Sequence, residues 1–210
     1  MKHYISVAVL ALLAVVPLSA QAPAGWKMRG DRSMNMSDPD AGGSTKFVTK
    51  GSGFLATNPQ AAVYWNPANT ATGNYTLKGT FTLVSTTGYR EYFGLIFGGS
   101  DLDGAGQNYL YFMVEHDGSW LVKRRTGNST AEVASSEGPS SAVKKAVGNG
   151  TSTNALEVRV TPAKIDFVVN GTVVNSTPKT GPAAKTDGVY GIRINHNLEV
   201  QVDGFGLTKQ

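Results

Sequence analysis

Cysteine is absent from the 210 residues, so the chain has no disulfide to brace it and must be held by a packed core. Charged side chains make up only 16% of the composition, but 40% hydrophobic residues exclude a disordered segment. Histidine is nearly missing. Beyond His3 there are only His116 and His196, and neither has a Cys, His or acidic partner at metal-ligand spacing, which leaves zinc chemistry without support. No Gly-x-Ser-x-Gly elbow and no phosphate-binding glycine loop occurs. Helical periodicity is also lacking from Trp26 onward. A chain of this length buries roughly 70% of its unfolded surface, enough for a single domain without a staple.

Long apolar runs are lacking too, with one exception. Lys2 and His3 precede the run from Ile5 to Val16, Pro17 ends it, and Leu18-Ser19-Ala20-Gln21-Ala22 supplies small residues. A dozen apolar residues fall short of the roughly 20 needed to span a bilayer. The pattern predicts a secretory signal peptide over 1–20 and a single domain over 21–210, hence a secreted or periplasmic protein. A cysteine-free exported chain suits a bacterial periplasmic or extracellular setting, with no membrane attachment after cleavage. Six Asn-x-Ser/Thr triplets, at Asn35, Asn74, Asn128, Asn149, Asn170 and Asn175, are expected by chance in so Asn- and Thr-rich a chain.

What is present is alternation with a period of two. Tyr75, Leu77, Phe81 and Leu83 share one face of a segment whose other face carries Thr76, Lys78, Thr80 and Thr82. Leu156, Val158 and Val160 alternate with Glu157 and Arg159, and Ile165, Phe167 and Val169 with Lys164 and Asp166. Asn170-Gly171 marks a type I′ hairpin, because both turn residues must take positive φ. His116-Asp117-Gly118 turns the chain between Tyr109–Glu115 and Ser119–Arg125. Shorter strands are expected at Phe47–Lys50, Gly53–Thr57, Ala61–Trp65, Glu132–Ser135 and Val143–Val147, and later ones at Val189–Asn195 and Leu198–Leu207. Ten to twelve strands separated by Gly, Pro and Asn turns predict an all-β fold, a two-sheet antiparallel sandwich.

Phe93-Gly94-Leu95-Ile96-Phe97-Gly98-Gly99, Asp101-Leu102-Asp103-Gly104 and Tyr109-Leu110-Tyr111-Phe112 resemble the middle of concanavalin-A-like jelly rolls. Asn154–Val158, Val169-Asn170-Gly171 and Gly188–Arg193 resemble their closing strands. Within that superfamily the chain is similar to laminin-G-like domains and to secreted bacterial domains of the 3-keto-disaccharide hydrolase or family 16 glycoside hydrolase type. The resemblance implies a jelly-roll sandwich over most of residues 47–208. It is weak for function, because such sandwiches serve lectins, glycanases and adhesion modules alike. The family 16 strand motif Glu-x-Asp-x-x-Glu is not kept. Glu115-His116-Asp117 begins it, but position 120 is Trp and Asp117-Gly118 belongs to a turn. Retaining hydrolysis needs two carboxyl groups about 5 to 5.5 Å apart, and Glu115 has no such neighbour on its strand.

The resemblance also implies a Ca²⁺ site at Asp101 and Asp103. A loop whose Asp side chains cap its own turns is the alternative. Asp38-Pro39-Asp40 is ordinary turn chemistry. Lys123-Arg124-Arg125 divides between two strand faces, so no phosphate-tracking patch arises and no nucleic acid partner is expected. Tyr109, Tyr111, Met113 and Glu115 lie opposite the apolar set Leu110, Phe112 and Val114, while Arg193 and Asn195 lie opposite Ile192 and Ile194. With His196 they are candidates for a glycan groove of rings and hydrogen-bonding groups on the concave sheet, Tyr and Arg merely covering each other being the plainer reading. Trp65 and Trp120 are expected in packing. The function expected is a secreted, non-catalytic carbohydrate-binding or adhesion module. A glycoside-cleaving enzyme using Glu115 as acid/base, or a protein-binding domain of the cell envelope, are the alternatives.

Overall fold

The computed structural model describes residues 22–33, 36–37, 39–87, 91–148 and 150–210. The expected signal peptide, Asp38, Asn35 and Asn149 lie outside the described residues.

Two antiparallel sheets of seven strands each make up the molecule. One sheet, here the site sheet, contains β1 (Lys27–Asp31), β4 (Ala61–Ala71), β13 (Gly188–Ile194), β6 (Tyr92–Ser100), β7 (Asn108–Glu115), β8 (Trp120–Thr126) and β9 (Ser129–Ser135), in that spatial order. The other, the back sheet, runs β12 (Thr172–Pro178), β11 (Lys164–Val169), β10 (Ser152–Val160), β5 (Tyr75–Thr86), β14 (Leu198–Lys209), β3 (Gly53–Asn58) and β2 (Lys46–Lys50). The only helical turn among the described residues is a 3₁₀ turn at Gly181–Ala183. This is the expected all-β jelly-roll sandwich.

Alternation decides which side chains enter the sandwich. Leu77, Phe81 and Leu83 of β5, Leu156 and Val158 of β10, and Ile165 and Phe167 of β11 meet Tyr64, Phe93, Leu95, Phe112 and Ile192 of the site sheet in one core. Complete burial of each such side chain contributes roughly 1.5–3 kcal/mol. Asn170 and Gly171 both take positive φ, +50° and +83°, as the hairpin between β11 and β12 requires. Gly98 at φ +61° accompanies a register shift in the β6–β7 pairing between Phe97 and Ser100, so this glycine marks a bulge.

Two segments depart from expectation. Residues 143–147 form no strand. Asn154 accepts the Lys144 N–H through Oδ1 (2.8 Å) and donates through Nδ2 to the Lys144 carbonyl (3.0 Å), while Asn170 Nδ2 donates to the Ala142 carbonyl (2.8 Å). These amides satisfy the backbone groups that a neighbouring strand would otherwise have met, and Val143 is buried from a loop. Conversely, β1 was not foreseen, because Lys-Met-Arg-Gly-Asp carries no apolar alternation. It pairs along the edge of β4, Arg29 opposite Val63 and Asp31 opposite Ala61. Trp26 fixes its start, its ring 4.6 Å from Phe54 and 5.2 Å from Phe47, centroid to centroid.

Candidate functional site

The outer face of the site sheet is not a solvated surface. Val63, Trp65, Ile96, Leu102, Tyr109, Tyr111, Met113 and Leu121 form a second apolar cluster there. This corrects the expectation that the face opposite Leu110 and Phe112 is open: Tyr109 and Glu115 are fully buried and Tyr111 is 6% exposed. For the tyrosines the physical cause is the loop after β6, whose Leu102 joins the cluster. Arg29 donates through Nη1 to the Gly104 carbonyl, and Lys27 Nζ meets Asp103 Oδ2 at 2.5 Å, so side chains of the edge strand are tied to that loop.

Beside the cluster opens a groove of about 820 Å³. Pairing registers explain its walls. Arg29, Val63, Arg193, Gly94, Met113 and Leu121 lie in one row across six strands, and Trp65, Gly191, Ile96, Tyr111 and Lys123 in the next. Gly94 and Gly191 leave the middle of these rows without side chains, and Arg193 extends across that space. Its Nη1 donates to Asp31 Oδ2 (2.6 Å) and to the Tyr109 hydroxyl (2.9 Å), and its guanidinium lies 5.6 Å from the Tyr111 ring centroid. Burial alone would weaken the Arg193 charge, but Tyr109 and Asp31 hold its pKa above the ordinary value. Burial pushes the Tyr109 and Tyr111 hydroxyls up, and nearby Arg193 offsets only part of the effect.

At the other end His196 is 7% exposed, with Nδ1 2.8 Å from Asp40 Oδ1 and Nε2 against Glu91 Oε1. A carboxylate only accepts, so both ring nitrogens are placed to donate. Asp40 also accepts the Ser33 N–H (3.0 Å), which joins the segment after β1 to the turn after β13.

Of the residues proposed from sequence, Tyr111, Arg193, Asn195 and His196 line the groove together. Tyr109 lies beneath it as the partner of Arg193, and Glu115 is buried elsewhere, 4.0 Å from His116 Nδ1. Arg29, Asp31, Arg32, Glu91, Tyr92, Lys123 and Arg125 line the groove without having been picked out as site residues. Alternation places Tyr92, Lys123 and Arg125 on the outward set and was a usable signal for them. For the β1 residues there was none.

Asp101 and Asp103 do not converge on a shared centre. Asp101, at φ +50°, accepts the Gly106 N–H through Oδ2 (3.0 Å), and Asp103 pairs with Lys27. A Cβ on Gly104 would come within 2.1 Å of Asp101 Oδ1, so the loop closes around that carboxylate. Among the described residues no group of three or more His, Cys, Asp and Glu side chains is placed to hold a metal ion.

Fold and site define an all-β protein, a two-sheet jelly-roll sandwich with a polar groove on one sheet. The fold is similar to that of carbohydrate binding module CBM66 from Bacillus subtilis, with a TM-score of 0.63 at 11% identity over 88% of this chain and 96% of that one. A Bacillus subtilis protein of unknown function with a galectin-like fold gives 0.58 at 12% identity, over 88% and 89%. The exoplasmic/lumenal domain of VIP36, bound to Ca²⁺ and Man3GlcNAc, gives 0.57 at 8% identity, over 89% and 84%. No protein-family model matches the chain, and no curated protein matches it in sequence.

Proposed function

We propose that the protein is an exported carbohydrate-binding module whose groove on the site sheet takes a glycan. The observation that carries this reading is the groove's mixture of a partly exposed ring, Tyr92, with polar and charged side chains, Lys123, Arg125 and Asn195 among them. Arg193 and Asn195 line the groove beside Lys123 and Arg125, with Asp31 and Tyr109 holding the Arg193 guanidinium in place. A sugar hydroxyl both donates and accepts, so it meets amide and charged side chains alike, and a sugar's CH face covers an aromatic ring. Similar folds in a carbohydrate binding module and in an exoplasmic/lumenal domain bound to Man3GlcNAc support the choice of ligand. Binding rather than cleavage is favoured because both carboxylates that line the groove, Asp31 and Glu91, are held by Arg193 and His196. Export is supported by the apolar leader at 1–20.

Screening the chain from Gln21 against a glycan array, with a parallel assay for released reducing sugar, tests the reading. Glycan binding that Asn195→Ala weakens, without turnover, is the expected outcome. Turnover, or binding untouched by Asn195→Ala, sinks it.

A further inference from the structure

Resting on the glycan-binding reading of this groove, we infer that the sugar it takes is acidic, charged through a carboxylate or a sulfate ester. Five cationic side chains, Arg29, Arg32, Lys123, Arg125 and Arg193, line the groove against two carboxylates. Those carboxylates have partners within the fold, Asp31 with Arg193 and Glu91 with His196. Positive charge therefore remains toward the opening. The side chains of Lys123 and Arg32 make no hydrogen bond or ion pair among the described residues. Glu132, opposite Lys123 in the β8–β9 register, accepts from the Ser135 hydroxyl at 3.0 Å instead. Arg125 is held by its Nε donating to the Gly127 carbonyl (2.7 Å), and its Nη2 stands 4.0 Å from Asp31 Oδ1, too far for a hydrogen bond.

Lys123 and Arg125 are two residues apart on one strand face, so their stems stand roughly 7 Å apart. That spacing lets a single anion be met from both sides. Lys and Arg only donate, and charge-assisted bonds to an anion are about twice as strong as bonds to a neutral hydroxyl. A neutral sugar would leave these cations half-desolvated and unneutralised. An acidic one neutralises them.

Calorimetric titration of the chain at low salt compares polygalacturonate oligomers with neutral galactan oligomers, and dextran sulfate oligomers with neutral dextran. At least one charged series should bind about tenfold or more tightly than its neutral counterpart, the scale of one charge-assisted hydrogen bond. Which series does so identifies the anion. The advantage should vanish near 0.5 M NaCl, where the screening length falls to about 4 Å. Lys123→Gln should remove most of it and Lys123→Arg restore it, whereas Lys78→Gln, an exposed change on the back sheet, should leave it intact. Equal binding of charged and neutral glycans would overturn the inference while sparing the glycan-binding reading. Equal losses in Lys78→Gln and Lys123→Gln, or equally tight binding of single-stranded DNA, would overturn it as diffuse attraction. Absence of binding by every glycan would overturn both.

Discussion

Arg193 Nη1 donates to Asp31 Oδ2 across 2.6 Å, joining β13 near the middle of its sheet to β1 at the edge. The two side chains are only 10% and 12% exposed, so each is a buried charge neutralised by the other. Removing Asp31 strands Arg193, so Asp31→Asn should cost about 3–5 kcal/mol in urea unfolding, and Arg193→Ala should cost less because Asp31 keeps Arg29 at 3.8 Å and Arg125 at 4.0 Å. The double variant Arg193→Met with Asp31→Leu should recover much of that loss. Additive losses in the cycle would mean that the two charges act independently.

Tyr111 and Asn195 line the same groove but should behave differently. Tyr111→Ala removes a nearly buried ring from the second apolar cluster and should cost about 3–5 kcal/mol of stability. Asn195→Ala deletes a side chain whose carbonyl oxygen has no internal partner, so stability should stay within about 0.5 kcal/mol while glycan affinity falls. Urea unfolding and calorimetric titration on the two variants separate these outcomes.

Alkaline pH should unfold the protein through its tyrosines. Burial raises the hydroxyl pKa of Tyr64, Tyr75, Tyr109 and Tyr111 above the ordinary value of about 10. The folded state thus keeps protons that the unfolded chain releases. The stability involved is fully present below about pH 10 and is lost as pH rises from there toward the folded values, by about 1.4 kcal/mol per pH unit for each tyrosine. Tyrosinate absorbance and circular dichroism followed together should therefore change for these residues in one joint transition. Full ionisation near pH 10 with the fold intact would contradict the burial.

Asn154 closes the loop before β10 with three hydrogen bonds, two to Lys144 and one from Asn170 Nδ2. Asn154→Ala should cost roughly 1–3 kcal/mol for each backbone group left buried and unpaired. Hydrogen exchange at the Lys144 amide should quicken well before global unfolding. An amide that exchanges as slowly as in the parent would show that the side chain does not hold the loop.

The strand pattern was legible because side chains alternate across a sheet regardless of what lies beyond it. Leu77, Phe81, Val158 and Phe167 therefore read as core, Asn170-Gly171 read as a tight hairpin, and the all-β sandwich followed. Residues 143–147 misled because Val143 and Val147 look strand-like, while the amides that replace strand pairing come from Asn154 and Asn170, remote in sequence.

Alternation also separated the two faces of β7 and β13 correctly, Leu110, Phe112 and Ile192 on one side and Tyr111 and Arg193 on the other. What it does not contain is the environment of the second face. That was decided by tertiary structure, since strand order places β13 between β4 and β6, and β1, a polar edge strand with no hydrophobic period of its own, pairs along β4 and brings Asp31 to the Arg193 that also meets Tyr109. Local sequence sets which residues share a face, because that depends on backbone geometry alone. Whether a face is wet, buried or a groove depends on which distant segment packs against it, and that is fixed only when the whole sheet has assembled.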